Sequence, residues 1–217
     1  MITVTAFRWV PPFAQGLVRD HRVRWALEEA GLAYEERLIG LGEQSSEAHR
    51  RLQPFGQVPV YQEDGLTLFE SGAIVLHIAE KSAVLMPAEP AGRARAITWM
   101  FAALNSIEPH IQDLVAVDIF HAKEEWAKQR RPGALQVVEK KLDDLTAWLD
   151  GREWLEDRFT AGDLLMTSVL RILRHTQLVA ARPALEAYRL RCEARPAFQK
   201  ALADQLAPFA KNAPPAA

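Results

Sequence analysis

The stretch Gln57-Val58-Pro59-Val60-Tyr61-Gln62-Glu63-Asp64-Gly65-Leu66-Thr67-Leu68-Phe69-Glu70-Ser71 decides the fold. Asp64-Gly65 reads as a hairpin turn between two arms, Val58 to Tyr61 and Leu66 to Phe69, with the second arm ending at Glu70. Proline has no N–H to give a ladder, so Pro59 belongs at a strand start or on an edge. A cis Val58–Pro59 bond costs only about 0.5–1 kcal/mol before proline and turns the backbone N–H and C=O of Val58 outward. An extended peptide can pair there as an added strand, with main-chain bonds supplying affinity and nearby side chains selectivity.

Past the hairpin, Ser71 to Lys81 carries Ile74, Val75 and Ile78 on one helical face, and Ser71 is a natural N-cap. The open N–H groups and positive dipole end of such a helix attract a carboxylate, while Glu70 can pair with an ammonium. An α-amino acid head carries both charges. The plainer alternative is that Ser71 only caps the helix and Glu70 only supplies a first-turn acid.

Upstream, Ile2 to Phe7 alternates like a strand, and Val23, Ala26, Leu27 and Ala30 recur at helical spacing up to Gly31, a good C-cap. Tyr34 to Ile39 forms a second strand, and a short polar helix around Ser46 to Leu52 precedes the hairpin. The order β-α-β-α-β-β-α implies a parallel first pair with a right-handed crossover, joined by antiparallel strands. We therefore expect an α/β domain over residues 1–82, a proline-punctuated linker over 83–91, and an all-helical domain over 92–217.

In the second region one helix is expected from Gly92 towards Phe120, kinked at Pro109. A second carries Leu135, Val138, Leu142, Leu145 and Leu149. The run Lys128-Gln129-Arg130-Arg131-Pro132-Gly133 reads as a solvated loop between them. Thr160 with Asp163 reads as a capping box, which is folding information. The Ala/Pro-rich last residues read as a fraying end.

Composition narrows the function classes. Of 217 residues, 49% are hydrophobic and 25% charged, ordinary for a globular chain able to bury a core. A formal charge of −2 gives no global attraction to nucleic acid or anionic membrane. No apolar run reaches the roughly 18 residues of a membrane span, and the N-terminus lacks a secretory pattern, so the cytoplasm is expected. Cys192 is the one cysteine, which excludes an internal disulfide and a Cys-x-x-Cys redox pair; it reads as a structural thiol. His21, His49, His77, His110, His121 and His175 show no ligand spacing, and no metal is expected.

These residues resemble the soluble glutathione transferases over nearly the whole chain. The likeness is carried by Arg24 to Gly31, Leu52 to Val60, Leu68-Phe69-Glu70-Ser71 and Phe159-Thr160-Ala161-Gly162-Asp163. It implies a thioredoxin-like α/β N-terminal domain followed by an all-α domain, with glutathione as co-substrate. Val58 then pairs through its backbone with the cysteinyl part, Pro59 is the cis proline, Glu70 and Ser71 hold the γ-glutamyl head, and Gln57 lies near the glycyl end. A homodimer is also implied.

Two departures stand out. Related proteins often carry a lysine after a Gly-Glu-Gln stretch that helps bind the glycyl end, and here Gly42-Glu43-Gln44 is followed by Ser45. Much of the family places a Ser, Tyr or Cys near the start of the first helix to contact the thiol; here those positions hold Leu17, Val18, Arg19 and Asp20. The loop ahead of them, Trp9 to Gly16, is long and proline-stiffened.

Glutathione attacks as its thiolate, and an unperturbed thiol with a pKa of about 8.5 is little ionised at neutral pH. With the first helix starting near Leu17 to Arg19, its N–H groups, Arg19 as cation, and Gln15 or Trp9 as donor are the candidates for activating it. The plainer reading of Arg19, Arg22 and Arg24 is as solvated or interdomain charges. An apolar electrophile would be lined by Trp9, Phe13, Phe101, Asn105 and Glu108, in a cleft between the domains. The leading expectation is an enzyme adding glutathione to a small apolar electrophile, or using it in reduction or isomerisation. A non-catalytic glutathione-binding or protein-interaction module is the alternative, and a glutaredoxin-type oxidoreductase is disfavoured by the lack of an N-domain cysteine.

Overall fold

The computed structural model describes residues 1–214, so the final residues of the Ala/Pro-rich end lie outside the described residues. The chain forms two compact units, one built from Met1–Met86 together with the segment from Arg195 onward, the other from Pro87–Ala194.

The first unit runs β1 (Ile2–Phe7), α1 (Asp20–Ala30), β2 (Tyr34–Ile39), α2 (Glu47–Arg50), β3 (Val60–Glu63), β4 (Leu66–Leu68) and α3 (Ser71–Ala79). Its sheet has the order β2-β1-β3-β4, with β1 parallel to β2 and the other pairs antiparallel. This is the thioredoxin-like arrangement expected from the sequence. Asp64 and Gly65 turn the hairpin at φ 47° and 88°, the positive-φ pair of a type I′ turn. The Val58–Pro59 bond is cis, and β3 starts one residue later than the proline.

The last helix, α9 (Pro196–Lys211), belongs to this first unit, whereas the sequence division groups it with the helical region. The physical reason is its contact with α1. Phe198 meets Trp25 edge-to-face with centroids 4.9 Å apart, and both rings are buried. Arg195 clasps Glu29 with two hydrogen bonds, at 2.5 and 2.7 Å. Gln205 donates to the Val18 carbonyl at 3.1 Å and to Asp20 Oδ1 at 2.7 Å. A helical repeat in sequence shows that α9 has an apolar face, but not which partner covers it.

The second unit contains α4 (Pro90–Phe101), α5 (Glu108–Val115), α6 (Glu125–Trp148), α7 (Ala161–Leu170) and α8 (Pro183–Glu193). Ala102–Ile107, ending two residues before Pro109, is a π-helical turn between α4 and α5. The wider turn is how a continuous helix absorbs a residue that lacks the N–H and crowds the preceding turn. The basic run is not a loop: Lys128 to Gly133 lies inside α6, with Pro132 in the helix. Arg130 donates to Asp113 at 2.6 Å and Arg131 to Asp118 at 2.6 Å, so the charges tie α6 to the preceding segment.

Thr160 and Asp163 form the expected capping box. Asp163 also accepts from the Leu155 N–H at 2.9 Å and the Tyr188 hydroxyl at 3.0 Å. Burial pushes its carboxyl up to about 6 against these donors. Cys192 is buried in α8.

Candidate functional site

The sheet register gathers the candidate residues of the first unit. Tyr61 pairs with Leu68 on β4, and Val60 pairs with Thr5 on β1. The start of β3 thus lies at the same end of the sheet as the end of β4, which leads into Glu70 and Ser71, and the end of β1 at Phe7, where the first loop begins, so three chain segments leave that end together.

The segment before Pro59 is braced from behind. Buried His49 donates through Nε2 to the Gln57 carbonyl at 2.8 Å. Buried Gln53 accepts from the N–H of Phe55 at 2.6 Å and of Gln57 at 3.3 Å. Both backbone polar groups of Gln57 are therefore committed to the protein, while its side chain is exposed. Gly56 sits at φ +65°, and an added Cβ would stand 3.0 Å from the Gln44 carbonyl oxygen. Only glycine fits that approach without strain. Val58, ahead of the ladder, is left to pair with something else.

Ser71 is not the N-cap. Glu70 holds that position at φ 67°, ψ 113°, and Ser71 is the first residue of α3. A non-glycine residue in that region costs on the order of 1–3 kcal/mol and is kept where the surroundings over-determine it. Freed from capping, the Ser71 hydroxyl accepts from Arg22 Nη1 at 3.3 Å. Both residues are buried, each 4% exposed. The start of α3 thus combines its positive dipole end, a hydroxyl and a guanidinium behind it, while the Glu70 carboxylate stands exposed beside them.

In the first loop the structure corrects the expected helix start. α1 begins at Asp20, because the N–H groups of Leu17, His21 and Arg22 already bond to Ala14, Val18 and Arg19. Asp20 fills the first turn of α1 with a buried carboxyl, which accepts from Arg24 Nε at 2.7 Å as well as from Gln205. Burial pushes that carboxyl up while Arg24 pulls it down. A carboxyl at the positive end, with N–H groups engaged, leaves little of that helix end for a thiolate. Arg22 and Arg24 are also not solvated charges: Arg24, 1% exposed, pairs with both Asp20 and Glu36.

Gln15 donates its amide to the Val10 carbonyl at 3.0 Å, so it holds the loop closed on itself. Trp9 is half-buried, while Phe13 and Arg19 are exposed. In the second unit Phe101 and Asn105 are exposed, on the end of α4 and on the π turn, but Glu108 is buried at 5%. Glu108 therefore does not share the open surface of the other two.

Sequence reasoning missed Arg22, His49 and Gln53. No spacing rule joins Arg22 to Ser71, since their contact depends on how α1 and α3 pack. A larger cavity of about 720 Å³ lies between the end of α1, β2 and α9, and none of the candidate site residues lines it. Among the described residues, no cluster of three or more His, Cys, Asp or Glu side chains could hold a metal ion, and no helix is long and apolar enough to cross a membrane.

Residues 13–80 match the glutathione S-transferase N-terminal domain. A maleylacetoacetate isomerase of Rhizobium meliloti is 32% identical over 87% of this chain and 93% of its own length. A glutathione S-transferase of Hyoscyamus muticus is 30% identical over 83% of this chain and 91% of its own. Among solved structures, a glutathione transferase from Burkholderia graminis, with two glutathione molecules bound per subunit, superposes with a TM-score of 0.81. It is 28% identical and covers 93% of this chain and 87% of its own. The chain belongs to the glutathione S-transferase family.

Proposed function

We propose that this protein is a cytoplasmic glutathione transferase that adds the glutathione thiolate to a small apolar electrophile. The observation that carries the reading is that Val58, ahead of the β3 ladder, and the Glu70–Ser71 corner backed by Arg22 lie at the same end of the sheet. Val58 pairs with the cysteinyl backbone, Ser71 and the start of α3 receive the γ-glutamyl carboxylate, Glu70 receives its ammonium, and Gln57 reaches towards the glycyl end. Pro59 ends the ladder so that Val58 stays open.

We assign the stabilisation of the thiolate to exposed Arg19, with Trp9 as a donor from the same loop, while the Gln15 bond to the Val10 carbonyl keeps the loop in shape. In the first unit, exposed Phe13 offers apolar surface to the electrophile. The family relatives include both a transferase and an isomerase, and the transferase reading follows from the apolar rather than cationic character of Phe13. The protein acts as a homodimer, with the exposed Phe55 and Phe69 rings, 6.1 Å apart, as an apolar patch for the second copy.

The deciding experiment is calorimetric titration with glutathione, followed by turnover with an activated aryl halide. Saturable binding, weakened roughly tenfold or more in a Ser71→Ala variant, together with conjugate formation, is the expected result. Binding without turnover across a broad electrophile panel would leave a glutathione-binding module and overturn the transferase reading.

A further inference from the structure

The segment that leads into Val58 carries two neighbouring arginines, Arg50 and Arg51, in different situations. Arg51 is held by Glu47 one turn back, at 2.5 Å. Arg50, exposed at the end of α2, gives one N–H to the Pro54 carbonyl at 3.2 Å; among the described residues it has no ion pair and no other hydrogen bond. The guanidinium lies against Gly56. A Cβ placed on Gly56 would stand 3.2 Å from Arg50 Nη2, so the bare glycine is what leaves room for the charge there.

The polar groups around it are otherwise committed. The Gln44 side-chain oxygen accepts from the Gly42 N–H at 2.7 Å, and the backbone groups of Gln57 are bound by His49 and Gln53. What faces solvent beside Gly56 is the Gln57 side chain and the Arg50 guanidinium with its remaining donors open. A guanidinium fixed at one N–H and open at the rest is a fork for a carboxylate, which it can bind through two parallel hydrogen bonds. The tether to Pro54 also reduces the side-chain freedom lost when a ligand binds.

We propose that Arg50 binds the glycyl carboxylate of glutathione and so makes a free C-terminal carboxylate a requirement of the ligand. The assignment rests on the glutathione reading above, in which the cysteinyl part pairs with Val58 and the glycyl end lies at Gln57. Successive residues of an added antiparallel strand, about 3.4 Å apart, run back along the chain from Val58 to Gln57 and Gly56, which brings the carboxylate to the Arg50 fork.

The test is calorimetric titration of the full chain with glutathione and with its glycyl ethyl ester, which keeps the γ-glutamyl and cysteinyl parts and lacks the negative charge. The wild type should bind glutathione about tenfold more tightly than the ester, Arg50→Gln should bind both with the ester's affinity, and Arg50→Lys should regain part of the preference. Added salt should narrow the wild-type preference and leave Arg50→Gln unmoved, since the charge is exposed. Absence of glutathione binding in the wild type would overturn the glutathione reading and this assignment with it. Equal binding of glutathione and ester by the wild type, or a preference retained in Arg50→Gln, would overturn the assignment of Arg50 alone.

Discussion

Arg22 Nη1 lies 3.3 Å from the Ser71 hydroxyl, joining the first turn of α1 to the first residue of α3. The bond gives Ser71 a fixed direction and sets a positive charge behind it. Removing either partner should weaken glutathione, and removing both should cost less than the two single losses added together. Charge-assisted bonds contribute about 1.5–3 kcal/mol, so Ser71→Ala and Arg22→Met should each raise the glutathione Kd roughly tenfold or more. A double-mutant cycle by calorimetry measures the coupling. Strict additivity would mean that Arg22 supports the fold and not the ligand.

Gly56→Ala tests the brace behind Val58. The substitution strains a φ of +65° and drives a Cβ to 3.0 Å from the Gln44 carbonyl. We expect a loss of about 1–2 kcal/mol in urea unfolding and a raised KM for glutathione, as the Gln57–Val58 backbone shifts. A stability loss with KM unchanged would show that the ligand does not read this backbone.

Asp163 should give the helical unit a distinct pH signature. Its folded pKa of about 6 lies above the usual unfolded value near 3.9, so the folded state binds its proton more tightly. The stabilisation from this group is complete below about pH 4 and is lost as pH rises through about 6. Asp163→Asn does not titrate. The stability of the wild type relative to this variant should therefore rise by about 1 kcal/mol on going from pH 7.5 to 5, read by urea denaturation at each pH.

Arg19 is the test of thiolate stabilisation. If it is the cation beside the sulfur, Arg19→Ala should move the pH–rate profile for conjugation upward by about one unit without changing the fold. An unmoved profile removes Arg19 from the chemistry and leaves the loop backbone.

The elements set by local pattern were legible in the sequence. The Asp64-Gly65 turn, the Thr160–Asp163 box, the strand Tyr34–Ile39 and the end of α1 at Gly31 all depend on residues a few positions apart. So did Val58–Pro59 and the Glu70–Ser71 corner. What escaped depends on packing. Pro132 and its basic neighbours look like a loop until Asp113 and Asp118 are seen to hold them in helix. The start of α1 escaped because a turn upstream consumes its N–H groups, and Ser71 escaped as a cap because Arg22 comes from another helix.

The placement of α9 bears on how the protein is made. Trp25 and the buried Asp20 need Phe198 and Gln205, which are synthesised about 180 residues later. The glutathione-family unit, first to emerge from the ribosome, can complete its core only after the helical unit has been translated. A chain stopped after Met86 should therefore stay open and sticky, and folding should finish from the C-terminal end.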